Sequence, residues 1–139
     1  VLHIVDLRRA LETEIAAQAA AQRGKRDMAA IDDALAAITM AVDNGGDGVA
    51  QDVAFHRSIA RATGNPYFLA TLAFVSQYLE AATRVTRGNE ARHADQMRAV
   101  LREHEAIVEA IRRQDVEAAR EAARIHMVNA AKRLRQAHR

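Results

Sequence analysis

Cysteine is absent from this 139-residue chain, which excludes a disulfide framework and a thiolate metal site. Proline occurs once, at Pro66, tryptophan is missing, and aromatic residues make up only 4% of the sequence. No apolar run approaches the roughly 18 residues that a membrane-spanning helix needs, and no signal peptide is recognisable. No alternating β-branched runs indicate strands. We therefore expect a cytoplasmic, helical protein without a membrane segment.

Residues that favour helices dominate the composition, above all alanine, leucine, arginine and glutamate. The formal net charge is only +2, from 20 Lys and Arg against 18 Asp and Glu. The one basic cluster, "KRLRQAHR", closes the chain, where positive charge suits the C-terminus of a helix. Neither a basic strand surface nor a short helix-turn-helix is visible, so we do not expect this chain alone to bind DNA.

Apolar residues recur at helical spacing along almost the whole sequence. The connections "DNGGDG" at 43–48 and "GNEARHAD" at 88–95 separate helical segments, Asn65 and Pro66 start one, and Asp115 can cap the last. Six segments result, at about 6–23, 27–42, 49–63, 66–87, 96–113 and 115–139. Short connections favour antiparallel neighbours, so residues 1–139 predict a single all-α domain, an antiparallel bundle of six to seven helices. The start at Val1, already in helical pattern, suggests a piece of a longer protein.

Four polar side chains with metal-binding chemistry interrupt the apolar stripes of three helices. Asp52 and His56 share the inner face of the third helix at i and i+4, a spacing that lets both reach one point. His104 falls within the stripe of the fifth helix, and His126 within that of the sixth. Burial of such groups is costly unless something satisfies them.

The turn before the last helix relates two of these histidines. His104 lies 11 residues before Asp115 and His126 lies 11 after it, so a hairpin brings both to one level, about 16 Å from the turn. The four side chains can therefore converge on a divalent metal ion, Zn²⁺ first, with Ni²⁺, Mn²⁺ or Fe²⁺ as alternatives. Three histidines and one aspartate leave coordination positions open for water or an oxygen-bearing ligand. A buried polar cluster without metal is the alternative. The other histidines, His3, His93 and His138, are expected at the surface.

The order and spacing of these residues carry a resemblance that covers nearly the whole chain. The opening "RRALETEIAAQAA" is followed by three groups of positions: Asp52, Phe55, His56, Gly64 and Asn65; His104, Ile107, Ala110 and Ile111; Asp115, Ala119 and His126. This pattern resembles the C-terminal effector-binding domain, of the FCD type, of GntR-family transcription regulators of the FadR subfamily. Gln114 departs from the pattern, because the family often has glycine before this aspartate.

The resemblance implies a metal held by one aspartate and three histidines, matching Asp52, His56, His104 and His126. It implies a small organic acid effector at or beside the metal, a homodimer, and a preceding winged-helix DNA-binding domain that this chain lacks. Arg8 is a candidate ligand contact, because a guanidinium can grip a carboxylate bidentately. Asn129, three residues after His126, is a second candidate that we expect to face the same cavity.

Three functions from different classes follow from these residues. The leading one is a ligand-sensing regulatory domain that binds metal and a carboxylate effector and thereby controls DNA binding. The alternative is a metal-dependent hydrolase or lyase with a His₃Asp site, in which an open position activates water. The third is a purely structural or dimerisation bundle.

Overall fold

The computed structural model describes residues 2–91 and 93–137, and within these ranges every regular element is an α-helix. The seven helices are α1 Leu2–Gln22, α2 Lys25–Asp43, α3 Val49–Ala62, α4 Pro66–Gln77, α5 Glu80–Ala91, α6 Ala94–Arg112 and α7 Val116–Ala137. The fold class expected from the sequence, an all-α bundle of six to seven helices, is confirmed.

The first helix packs mainly against α7, while α2 packs against α3, and α6 forms a hairpin with α7. Small buried residues on α1 and α7, including Ala16, Ala19 and Ala123, belong to the core, and small side chains permit a close approach of helix axes. Larger apolar side chains fill the remaining core: Ile15, Ile31, Phe55, Ile59, Leu72, Ile107 and Ile111. The core surrounds α3 and thereby holds its inner face inside the bundle.

Local signals fix both ends of α3 as the sequence predicts. Gly48 precedes the helix with a φ of +72°, a conformation that favours glycine, and a Cβ there would lie 3.2 Å from Cγ2 of Val42, which is a tight contact. After α3, Asn65 accepts a hydrogen bond from the backbone N–H of Tyr67 at 3.0 Å, and Pro66 occupies the first position of α4.

Two boundary predictions are wrong, both in the middle of the chain. The single helix expected at 66–87 is divided, because the N–H groups of Tyr78 and Leu79 donate to carbonyls three residues back, in a tight turn that lets Leu79 become buried. The polar segment 88–95 is mostly helical, since α5 continues to Ala91 and α6 begins at Ala94. Gly88 suggested a break, but glycine only weakens a helix interior by about 1 kcal/mol.

The turn between α6 and α7 is built around Gln114. Its φ of +54° is a left-handed conformation that glycine adopts most readily. This conformation explains why the family often has glycine at the position that Gln114 occupies here. The Gln114 side chain donates to the carbonyl of Ala20 at 3.2 Å and so ties the turn to α1. Asp115 accepts a hydrogen bond from the N–H of Ala118 at 3.1 Å, as its predicted capping role requires. This turn sets the relative level of the two helices.

Candidate metal centre

Three buried histidines from three helices meet in the centre of the bundle. The rings of His104 and His126 lie 4.7 Å apart, those of His56 and His126 5.6 Å, and those of His56 and His104 5.7 Å. One nitrogen of each ring lies within 4.8 Å of the others, a spacing that could hold one metal ion. His104 is fully buried. The equal offset of His104 and His126 from the turn therefore produces the predicted juxtaposition.

Asp52 lies at the edge of this cluster, one helical turn before His56. Its Oδ1 is 3.2 Å from Nε2 of His104 and 3.5 Å from Nε2 of His56. The same oxygen lies 2.8 Å from a terminal nitrogen of Arg87 on α5. The structure thus brings all four predicted residues together, and their role as metal ligands stays a prediction. Arg87 shares the Asp52 carboxylate with the cluster.

Two carboxylates orient two of the histidines. Glu12 on α1 lies 2.7 Å from Nδ1 of His56, and Glu103 on α6 lies 2.6 Å from Nδ1 of His126. Because both carboxylates can only accept, each Nδ1 carries the hydrogen, and each Nε2 is directed to the cluster as a potential ligand atom. Carboxylate partners of this kind are characteristic of histidines that bind metals.

The cluster contains buried nitrogen atoms that the described part of the chain does not satisfy. No hydrogen bond of acceptable geometry from the described residues reaches Nε2 of His56 or either ring nitrogen of His104, although Oδ1 of Asp52 lies near both Nε2 atoms. Buried polar atoms are rarely left unpaired, so such a group calls for an explanation such as a bound ion. The donor set fits a divalent ion that prefers imidazole and carboxylate ligands.

The three histidines differ in charge because their neighbours differ. Burial disfavours the charged form of His56, but Glu12 and Asp52 outweigh it and raise its pKa to about 9. Burial dominates at His126 and lowers its pKa to about 3. Burial also lowers the pKa of His104. At neutral pH and without metal, His56 is therefore the protonated member of the cluster.

The carboxylates around the cluster are ionised. Burial alone would raise the pKa of Glu12, but Arg8 and His56 lower it to about 2. At Asp52, Arg87 and His56 likewise overcome burial and hold the pKa well below its usual range. The pKa of Glu103 is lowered to about 2 against the effect of burial, chiefly by hydrogen bonds from His126 and Arg133. Negative charge is thus available to balance a cation.

A cavity of about 60 Å³ opens beside the cluster. A single water needs roughly 10–15 Å³ by this measure, so the cavity has room for about five water-sized groups. Its polar lining includes Asp52, His126, two threonines and three arginines, Arg8, Arg87 and Arg133, and its apolar lining includes Leu79 and Met127. A small anion would therefore meet several guanidinium groups next to the histidines.

The structure places the two predicted ligand contacts differently, and no finding tests their role. Arg8 lines the cavity, and its Nε donates to Glu12 at 2.5 Å. Asn129 is not among the residues that line this cavity, and its amide donates to Glu103 at 3.0 Å; its role as a ligand contact stays a prediction. His3 and His93 are exposed as expected, and His138 lies outside the described residues.

Sequence reasoning missed four charged residues of the site: Glu12, Arg87, Glu103 and Arg133. Each belongs to a residue type that is usually solvated, and no periodicity distinguishes a charge buried by tertiary contacts from one at the surface. One signal was available for Glu12, which lies four residues after Arg8 in an alanine-rich segment, the spacing of an ion pair on one face of a helix.

None of the described helices is both long and apolar enough to cross a membrane.

Comparison with known proteins identifies similar chains. A family model described as "FCD domain" matches residues 3–129. The chain is 32% identical over 127 residues to the HTH-type transcriptional repressor NanR of Escherichia coli K12, covering 91% of this chain and 48% of the repressor. It is 29% identical to NanR of Klebsiella aerogenes over the same length. The chain thus spans about half the length of the curated relatives it matches, and these relatives are transcriptional regulators, not enzymes.

Two solved structures share the fold. The chain aligns with Escherichia coli McbR/YncC with a TM-score of 0.85 at 17% identity, covering 99% of this chain and 65% of the other. It aligns with Streptococcus agalactiae GntR with a TM-score of 0.78 at 23% identity, covering 94% and 57%. The seven-helix arrangement therefore occurs in solved proteins whose sequences have diverged widely.

Proposed function

Because this chain belongs to the FCD domain family and is homologous to GntR-family regulators, we propose that it is the effector-sensing domain of a bacterial transcription factor. The observation that carries this proposal is the buried cluster of His56, His104 and His126 beside a cavity lined by arginines. We further propose that a winged-helix DNA-binding domain lies in the part of the regulator outside this chain. DNA contact would then occur through that domain, in the cytoplasm.

The metal would be held by His56, His104, His126 and Asp52. The unpaired nitrogens of His56 and His104 and the carboxylates behind His56 and His126 support this donor set. Zn²⁺ suits it best, with Ni²⁺, Mn²⁺ or Fe²⁺ as alternatives. The bound ion would supply a Lewis-acid anchor for an oxygen donor.

The effector would be a small hydroxy- or dicarboxylic acid. Arg8 and Arg87 line the same cavity as Asp52 and His126, and their guanidinium groups are suited to grip a carboxylate. Arg87 would also couple the metal to the effector. It pairs with Asp52 in the metal-free chain, and an Asp52 that binds metal would leave this guanidinium more available to an anion. Metal and effector binding would therefore favour each other.

The cluster joins the helices on which regulation would act. His56, His104 and His126 come from α3, α6 and α7, and Glu12 and Arg8 add α1. A ligand shifts a conformational equilibrium only when it binds one state more tightly. We propose that metal with effector stabilises one packing of these helices and thereby repositions the DNA-binding domains of a homodimer.

Calorimetric titration of small hydroxy- and dicarboxylic acids into the zinc-loaded and the chelated chain tests this proposal. We expect binding to the zinc-loaded form and binding at least about tenfold weaker after chelation. Arg87→Gln should abolish most of the affinity, whereas Arg84→Gln, an exposed arginine one turn earlier on α5, should not. Equal affinity of an acid for both metal states would refute the coupling between metal and effector.

A further inference from the structure

A second cavity reaches the histidine cluster, between α2, α5 and α6. Its volume is about 170 Å³, against about 60 Å³ for the cavity described above. It contacts the cluster through His104, whereas the smaller cavity contacts it through Asp52 and His126. The two spaces share Arg87 and Val100 as lining residues. We call the larger one the α2 cavity, after the helix that supplies four of its lining residues: Ile38, Thr39, Val42 and Asp43.

His104 differs from the other two histidines in what lies behind its ring. Nδ1 of His56 and Nδ1 of His126 each face a carboxylate, at 2.7 Å and 2.6 Å. Nε2 of His104 lies 3.2 Å from Oδ1 of Asp52, so Nδ1 is the nitrogen that points away from this carboxylate. No hydrogen bond of acceptable geometry from the described residues reaches that Nδ1. Histidines that bind metals almost always have a partner at the second ring nitrogen, and His104 lacks one among these residues.

Metal binding would turn this nitrogen into a donor that needs an acceptor. When Nε2 of a neutral imidazole binds a metal ion, the ring carries its hydrogen on Nδ1. His104 is fully buried, so bulk water does not reach the ring. A buried donor without an acceptor disfavours the state in which it occurs. Because His104 lines the α2 cavity, an acceptor bound there would complete the hydrogen bonding of the metal-loaded cluster.

The lining of the α2 cavity indicates which kind of molecule would supply the acceptor. Its inner polar groups are His104 and the buried Arg87, and with metal bound both can only donate. A guanidinium beside a ring N–H favours a carboxylate over other acceptors. Asp43 and Arg98 are exposed, so the cavity opens to solvent between α2 and α6. The volume holds roughly a dozen water-sized groups. The remaining walls are mainly apolar: Ile38, Val42, Met97, Val100 and Leu101.

We infer that the α2 cavity is a second ligand site, which takes a small monocarboxylate with an apolar body, such as hexanoate. The carboxylate oxygens would accept hydrogen bonds from Nδ1 of His104 and from Arg87, and the carbon chain would cover the apolar walls. The inference rests on the metal centre proposed above, because the metal makes Nδ1 a donor. The smaller cavity suits a different acid, since its three arginines can bind a second polar group.

Calorimetric titration of hexanoate into the zinc-loaded chain tests the site. We expect binding, at least about tenfold weaker after chelation, and no binding of hexylammonium, which has the same carbon chain but can only donate. Leu101→Phe narrows the α2 cavity and should weaken hexanoate binding at least about tenfold. Leu134→Phe makes the same change in the wall of the smaller cavity and is the matched control, which should bind hexanoate as the wild type does. Circular dichroism verifies that both variants remain folded.

Nitrogen-15 NMR of the histidine rings locates the ligand. Hexanoate should shift the Nδ1–H resonance of His104 more than those of His56 and His126, and saturating succinate, a dicarboxylate suited to the smaller cavity, should not displace it. Displacement by succinate, unchanged affinity in folded Leu101→Phe, or a zinc-loaded wild type that binds no hexanoate would overturn the inference; the last result would leave water as the acceptor. Zinc content separates this failure from failure of the proposed function. Hexanoate binding that Leu101→Phe weakens, in a chain that holds no zinc, would uphold the cavity as a ligand site and refute the metal centre.

Discussion

Binding of Zn²⁺ at neutral pH should release about one proton, and that proton should come from His56. The pKa of His56 is about 9, whereas His126 and His104 have lowered pKa values and are already neutral at pH 7. A ligand nitrogen must be deprotonated before it binds metal. The pKa of His56 lies about two units above pH 7, so removing its proton at pH 7 costs about 2.7 kcal/mol. This cost lowers the apparent zinc affinity about 100-fold.

Isothermal titration calorimetry in two buffers with different protonation enthalpies measures the proton count directly. The dependence of the observed enthalpy on the buffer should give about one proton per zinc at pH 7. The logarithm of the apparent association constant should rise by about one for each pH unit from about 6 to 8 and become level near pH 9. A competing chelator of known affinity keeps free zinc defined throughout.

Two variants make this experiment specific. Glu12→Gln removes the carboxylate that raises the pKa of His56 while preserving shape, so fewer protons should be released at pH 7. His93→Gln changes an exposed histidine outside the cluster and should leave the proton count unchanged. Full zinc binding by the wild type without proton release would refute the assignment of His56 as a protonated ligand.

Three further predictions concern the same framework. Glu103→Gln should weaken zinc binding about 10–100-fold by loosening the orientation of His126, whereas Glu109→Gln, an exposed carboxylate on the same helix, should have no effect in the same titration. The metal-free chain should be most stable to urea near pH 6.5. Above this pH, about 3 kcal/mol of the free energy of unfolding should be lost as pH rises through the raised pKa of His56. Below it, the free energy of unfolding should fall as pH drops toward the lowered pKa of His126. A flat profile would contradict both shifts. Gly88→Ala, at an exposed helical position where a Cβ meets nothing within 4 Å, should stabilise the fold by about 0.5–1 kcal/mol in thermal melts, and a lower melting temperature would show that the α5 interior is not helical there.

The sequence was sufficient to predict the fold class and the convergence of the four polar residues. Helical periodicity assigns inner faces, and the i, i+4 spacing of Asp52 and His56 needs no knowledge of neighbouring helices. The level of His104 and His126 follows from one turn and a constant rise per residue. These inferences succeeded because they depend only on local geometry.

The partners of these residues could not be predicted in the same way. Glu12 contacts His56, which lies 44 positions later in the sequence, and Glu103 contacts His126, which lies 23 positions later. Which face of α5 turns inward depends on the tight turn at Tyr78, where the sequence has neither glycine nor proline to mark it. As a result, the sequence does not indicate which of Arg84 and Arg87 points into the bundle. In the structure Arg87 reaches Asp52, whereas Arg84 pairs with Asp47 and Glu80 at the surface.

The charges around the cavity lead to a final prediction about the effector. Three arginines (Arg8, Arg87 and Arg133) and three carboxylates (Glu12, Asp52 and Glu103) lie around the cavity and the cluster, and without metal His56 adds a positive charge.

Zinc brings two positive charges and displaces one proton, so metal loading raises the charge of the site by one, and added buried charge is costly without a counterion. A dicarboxylate brings two negative charges to the metal-loaded site, whereas a monocarboxylate of equal length brings only one. Metal loading should therefore improve the binding of the dicarboxylate more than that of the monocarboxylate, by about tenfold or more in paired calorimetric titrations. The same improvement for both acids would mean that the metal acts through coordination alone, and that the charge of the cavity does not select the effector.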